Sequence, residues 1–296
     1  MQKDARSRDT PTNIWLQTAD YFLPLTLGLV ISVGISSLLL SMGAARPLLP
    51  QSKDPLSSIM FALVLAVVGL AGATGLYHLV RMRKTFAVRL VFVAIFAPWV
   101  AVMTLILGQA LLLGAVKGTG FPQGLTIWFV FVFLLSVYAS IIFAIMVLMG
   151  SLSTRVRNVV YVVYGSMIGA FIGVSLSTGP LVAILVSLAI YDLFVVRRFG
   201  RERTAEDIAL GREPWATLSF SGLTIEIGIG EFIVYAIIAA HALGYFGFLG
   251  GLLSVAMILI GAGINLIQLE REGFVAGFPI PTLLGLLPLL WIFLSH

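Results

Sequence analysis

The chain contains no cysteine, which excludes a disulfide, a thiolate nucleophile and any cysteine metal site. Histidine is nearly as scarce. His78, His241 and His296 lie far apart and no His-Glu-x-x-His pattern occurs, so a histidine zinc centre lacks its ligands. Charge is the third shortage. Only 10% of the 296 residues are Asp, Glu, Lys or Arg, against 59% hydrophobic, and the mean hydropathy is +1.07. A soluble domain carries about 25% charged residues, so the composition defines an all-α polytopic membrane protein. No metal or other cofactor is called for.

What is present is a series of long apolar runs. About 20 residues of helix, at 1.5 Å each, cross roughly 30 Å of hydrocarbon. Polar breaks place nine such spans near 21–44, 56–80, 88–115, 124–150, 159–177, 179–196, 220–243, 246–268 and 274–294. The first twenty residues are polar, and the apolar run after them is too long for a secretory signal, so it reads as a first transmembrane helix. The thinnest break is "LSTGPL" between the fifth and sixth spans, where Gly179-Pro180 offers a turn.

The distribution of Lys and Arg tests that break. With nine spans, fifteen of the 18 basic residues fall on one side and three (Arg46, Lys53 and Lys117) on the other. Fusing the fifth and sixth spans would leave nine against nine. The positive-inside rule then predicts a cytoplasmic N-terminus and an external C-terminus. The net charge of +5 follows from this asymmetry and faces anionic lipid, with no nucleic-acid partner needed. The polar insert 197–216 reads as a cytoplasmic loop, too short for a domain, so residues 1–296 form a single transmembrane domain. Trp15, Trp128, Trp215 and Trp291 suit interfacial anchoring.

Acids inside the apolar runs are few: Asp192, Glu226 and Glu231. A buried carboxylate costs several kcal/mol, so it needs a reason. Asp192 in "LAIYDLFVVRR" lies five residues before Arg197, a spacing poor for a helical ion pair. Glu231 follows "WATLSFSGLTI", whose Thr, Ser, Gly and β-branched residues favour extended chain. A helix starting near Glu226 would bring Glu231 to the depth of Asp192, and the macrodipole then explains Glu226. Gly228 and Gly230 allow close approach of a helix or an extended peptide. In "FPIPTLLGLLP", Pro279, Pro281 and Pro288 each remove a donor and free a carbonyl one turn back. Two carboxyl groups held together share a proton, so one activates water while the other protonates a carbonyl oxygen. His241 reads as an interfacial residue and Asn265 as an interhelical hydrogen-bonder.

Three stretches together resemble the presenilin and signal-peptide-peptidase family of intramembrane aspartyl proteases. "YDLFVV" is similar to the family's Tyr-Asp motif, "IGIGEFIVYA" to its Gly-x-Gly-Asp motif and "PTLLGLLP" to its Pro-Ala-Leu motif, in family order and in a nine-helix frame. The chain looks like a compact microbial, archaeal-type homologue. The resemblance implies Asp192 and Glu231 as catalytic acids, with Tyr191, Gly228, Gly230, Pro281, Thr282 and Leu283 on the substrate. It also implies transmembrane-helix or signal-peptide substrates and a multi-pass place in the cell membrane. Two positions depart from the pattern: Thr282 replaces Ala, and Glu231 stands where the family has its second Asp, one methylene too long. A weakened or inactive homologue that binds transmembrane helices is thus an alternative. A proton- or ion-coupled transporter is another, because intramembrane acids and broken helices serve transport equally well.

Overall fold

A computed structural model describes residues 14–41, 85–116, 125–151, 153–209, 217–219, 226–272 and 277–295, with scattered residues between 60 and 82. Among the described residues the order is α1 (Ile14–Ser41), α2 (Thr85–Val116), α3 (Leu125–Met149), α4 (Thr154–Ser175), α5 (Thr178–Ala209), β1 (Thr217–Ser219), β2 (Glu226–Gly228), α6 (Ile229–Glu272) and α7 (Pro279–Ser295). Among the described residues, five segments are long and apolar enough to cross a membrane: Tyr21–Ser41, Phe86–Leu113, Thr126–Met149, Val156–Ser175 and Ile229–Gln268. Thr178–Leu193 and Pro279–Trp291 are shorter apolar helices. The expected span 56–80 is described only in isolated residues, and those from Met60 to Leu79 are helical. Trp128 and Trp291 are exposed, while the side chains of Trp15 and Trp215 lie outside the described residues.

The break between the fifth and sixth expected spans falls just before the Gly-Pro pair. Helix α4 ends at Ser175, and Leu176 is extended (φ −97°, ψ 145°) with its N–H on the Ile172 carbonyl. Helix α5 begins at Thr178, so Pro180 occupies a first turn where its missing N–H costs nothing. The helix continues to Ala209, which corrects the expected loop 197–216: its first half, rich in Arg, Glu and Ala, is helical.

The expected span 220–243 is also corrected. Residues 217–219 and 226–228 pair antiparallel, Thr217 with Gly228 and Ser219 with Glu226, and helix starts only at Ile229. Within "WATLSFSGLTI", Thr217, Leu218 and Ser219 are extended, as strand-favouring residues predict. Glu226 is therefore a strand residue, and Glu231 is the acid in the first helical turn, where the macrodipole favours it. The spans expected at 220–243 and 246–268 meet at Gly247 (φ 74°, ψ −172°), a backbone region open essentially to glycine alone. Tyr235 and Asn265, on either side of Gly247, bond the same carbonyl oxygen. Thirty residues of straight helix would part them by about 45 Å, so α6 doubles back at Gly247.

The core forms where α4 and α1 pack on the first half of α6. Lipid tails are as apolar as leucine, so helices associate through close packing and hydrogen bonds. Gly169 and Gly173 supply the closeness, one turn apart on α4. A Cβ on Gly173 would lie 2.5 Å from the Ile237 carbonyl oxygen, and one on Gly169 would lie 2.5 Å from the Ala236 methyl. Opposite them Ala236, Ala239 and Ala240 are buried. Ser32 of α1 donates to the Ala236 carbonyl at 2.9 Å.

His241 is completely buried, which corrects its expected interfacial place. Its Nδ1 lies 2.8 Å from the Gly173 carbonyl, which only accepts, so Nδ1 carries the proton. In the neutral ring Nε2 accepts from the Thr178 hydroxyl at 3.0 Å. The imidazole, stacked on Tyr245, thereby ties the α4–α5 corner to α6.

Candidate functional site

The site is organised by a proline's missing hydrogen. In a helix the N–H of residue 281 would bond the carbonyl of residue 277, but Pro281 has none, so Gly277 is left with an unserved acceptor. Two side chains of α6 fill the vacancy. The Tyr235 hydroxyl donates to that carbonyl at 2.8 Å, and the Asn265 amide nitrogen donates to the same oxygen. The first regular bond of α7 follows one residue later, Thr282 N–H to Phe278 carbonyl at 3.3 Å. Pro279 and Pro281 thus begin the helix instead of breaking it, while Pro288 lies inside it.

Both acids reach this turn. The Asp192 carboxyl, which comes from α5, lies within reach of the Phe278 backbone N–H. The Glu231 carboxyl from α6 lies against Gly277 so closely that a Cβ there would stand 2.5 Å from one oxygen and 2.9 Å from the other. Asp192 and Glu231 therefore meet consecutive residues of one turn, and both side chains are half-buried. Tyr235 lies near enough to both carboxyl groups for their charges to act on its phenol, and Tyr21 of α1 stands in the same relation to Glu231.

The other expected site residues divide by exposure. Tyr191 is half-buried beside Asp192. Pro281 is buried, its backbone packed on Gly261 of the second half of α6. Thr282 is fully buried, and its hydroxyl has no hydrogen-bond partner among the described residues. Leu283 is 47% exposed. Gly228 closes β2 opposite Thr217. Gly230 is exposed, and a Cβ on it would meet no described residue within 4 Å, so no helix among the described residues explains this glycine.

Sequence reasoning missed Gly277, Phe278, Tyr21 and Tyr235. Two of them carried a signal: Gly277 is one turn before Pro281, and Tyr235 is one turn after Glu231. Asn265 was expected to bond across helices, and its partner proves to be the turn itself.

Helices at membrane-spanning length, a β-hairpin running into a doubled-back helix and a proline-started final helix define the class: a helical membrane protein with two acids on one turn. No protein-family model and no curated protein matches the chain. Among solved structures, a presenilin-family intramembrane aspartate protease matches in two crystal forms, C222 and P2, each with a TM-score of 0.58. Sequence identities are 17% and 19%, and the alignments cover 94% and 95% of this chain and 99% of the other. The chain has a presenilin-like fold.

Proposed function

We propose that this protein is an intramembrane aspartic endopeptidase whose two acids are Asp192 and Glu231. The observation that carries the reading is their contact with Phe278 and Gly277, adjacent residues of one turn, in a presenilin-like fold. The pair shares one proton: the carboxylate takes a proton from the attacking water, and the carboxylic acid gives its proton to the scissile carbonyl oxygen. Substrates are transmembrane helices or remnant signal peptides of other proteins. Such a helix must open before a peptide bond is reached. The outer edges of the β1–β2 pair would accept it as a strand, with Gly230 and Leu283 open beside its path. The reading includes nine spans, a cytoplasmic N-terminus and a place in the cell membrane; the turn of α6 at Gly247 and the helical residues between 60 and 79 support the count, and the Lys and Arg bias supports the orientation.

A second reading is favoured by one observation, the glutamate in place of the family's aspartate: a protein that holds transmembrane helices without cutting them. Mass spectrometry of a model transmembrane-helix substrate, incubated with purified protein in detergent, separates the two. Cleavage that disappears in Asp192→Asn and Glu231→Gln establishes the protease. Cleavage that appears only in Glu231→Asp marks a silent form. Absence of cleavage in every form, together with Asp192-dependent ion flux in liposomes, would establish a transporter instead.

A further inference from the structure

Glu231 carries its carboxyl one methylene, roughly 1.5 Å, further from the backbone than an aspartate would. Catalytic constellations are held within about 0.5 Å, so an unaccommodated methylene would spoil the site. The turn that receives the carboxyl begins with the residue that has no side chain. A Cβ on Gly277 would fall 2.5 Å from Glu231 Oε1 and 2.9 Å from both Cδ and Oε2, separations that neighbouring heavy atoms do not keep. The space taken by the longer acid is the space that a side chain at 277 would fill.

We infer that Gly277 is the steric complement of Glu231, a positioning residue whose missing side chain lets the longer acid present its carboxyl beside the turn. The catalytic consequence rests on the protease reading above; the steric pairing does not. The backbone at 277 has little freedom to yield. Its carbonyl is held from two directions by Tyr235 and Asn265. A side chain added at 277 therefore displaces the carboxyl of Glu231 and not the turn. Relieving a 2.5 Å contact to ordinary separation moves that carboxyl by about 1 Å, and an error of that size costs on the order of a hundredfold in rate. Shortening the acid withdraws the carboxyl and reopens the space. Glu with Gly and Asp with Ala are the two matched combinations, and the crossed combinations are overfilled or gapped.

The test is a double-mutant cycle on the full chain: the sequence as given, Gly277→Ala, Glu231→Asp and the double variant. Each is measured for thermal midpoint in detergent and for cleavage of a model transmembrane helix. Gly277→Ala alone is expected to lower the midpoint by roughly 2–6 °C and kcat by about 10- to 100-fold, with KM within about threefold. In the presence of Glu231→Asp the same change should leave the midpoint within about 1 °C and alter kcat by less than about threefold, or raise it. Additive effects in both measurements overturn the inference, even if every form cleaves. A coupled midpoint with no cleavage by any form keeps the pairing and removes the protease reading. If Gly277→Ala does not fold, recovery of folding in the double variant supports the pairing, and failure of both overturns it.

Discussion

The Gly277 carbonyl provides a sharp test of how the turn is held. Tyr235→Phe deletes one oxygen and a 2.8 Å hydrogen bond, yet Asn265 still serves the acceptor. Hydrogen bonds between membrane helices average about 0.6 kcal/mol and reach about 1.7, so this change should cost roughly 0.5–1 kcal/mol. Asn265→Ala removes the other donor and some packing volume, at roughly 1–2 kcal/mol. The double variant orphans the carbonyl, because Pro281 offers no N–H in compensation, and leaving this half-buried acceptor unserved costs about 1 kcal/mol. The two changes should therefore be more than additive, with a coupling of about 1 kcal/mol. Unfolding in mixed micelles followed by circular dichroism reads the stabilities, and kcat for a model substrate reads the turn. If the proposed protease activity holds, each single variant should lose less than about tenfold in kcat and the double variant on the order of a hundredfold, with KM little changed. Strict additivity in both readouts, or a double variant no worse than Asn265→Ala, would refute the claim that the two side chains share one acceptor.

Three further outcomes follow from the packing. Gly169→Ala puts a methyl into the Ile233 carbonyl and the Ala236 side chain, so α4 and α6 must separate, and differential thermal unfolding should show a loss of about 2 kcal/mol or more. His241→Phe keeps most of the volume but leaves the Gly173 carbonyl and the Thr178 hydroxyl without their shared partner, which should cost roughly 2–4 kcal/mol by chemical denaturation. Gly247→Ala forces a side chain onto φ 74°, ψ −172° and should destabilise by about 1–3 kcal/mol, with a matching fall in midpoint by calorimetry.

Much of this architecture was legible because the membrane writes it in blunt terms. Apolar length marked the spans, the Lys and Arg bias separated α4 from α5, and the β-branched run before Glu231 announced extended chain. The boundaries moved for local reasons. Residues 197–209 are rich in the helix formers Arg, Glu and Ala, so α5 outlasts its apolar segment, and Glu226, Ile227 and Gly228, inside an expected span, pair as a strand. Of the site, the two acids and the prolines were visible as costly residues in apolar surroundings. Gly277 was marked only through its carbonyl, one turn before Pro281; its missing side chain carries no signal until the neighbour that needs the space is known. Tyr235 and Asn265 were obscured for a related reason: their common target is a backbone atom, and sequence patterns display side chains only. His241 was misplaced because its burial depends on Gly173 and Thr178, which lie 68 and 63 residues away in the chain.

The order of the parts along the chain also sets a timetable. Asp192 and Glu231 are synthesised before the turn that receives them, and 46 residues separate Glu231 from Gly277. At about 5–20 residues per second, a ribosome needs roughly 2–9 s to cover that interval. Throughout it the acids are present while Gly277 and Phe278 do not yet exist. A nascent copy of this protein thus carries both acids for seconds before either can make its contact with the last helix's opening turn.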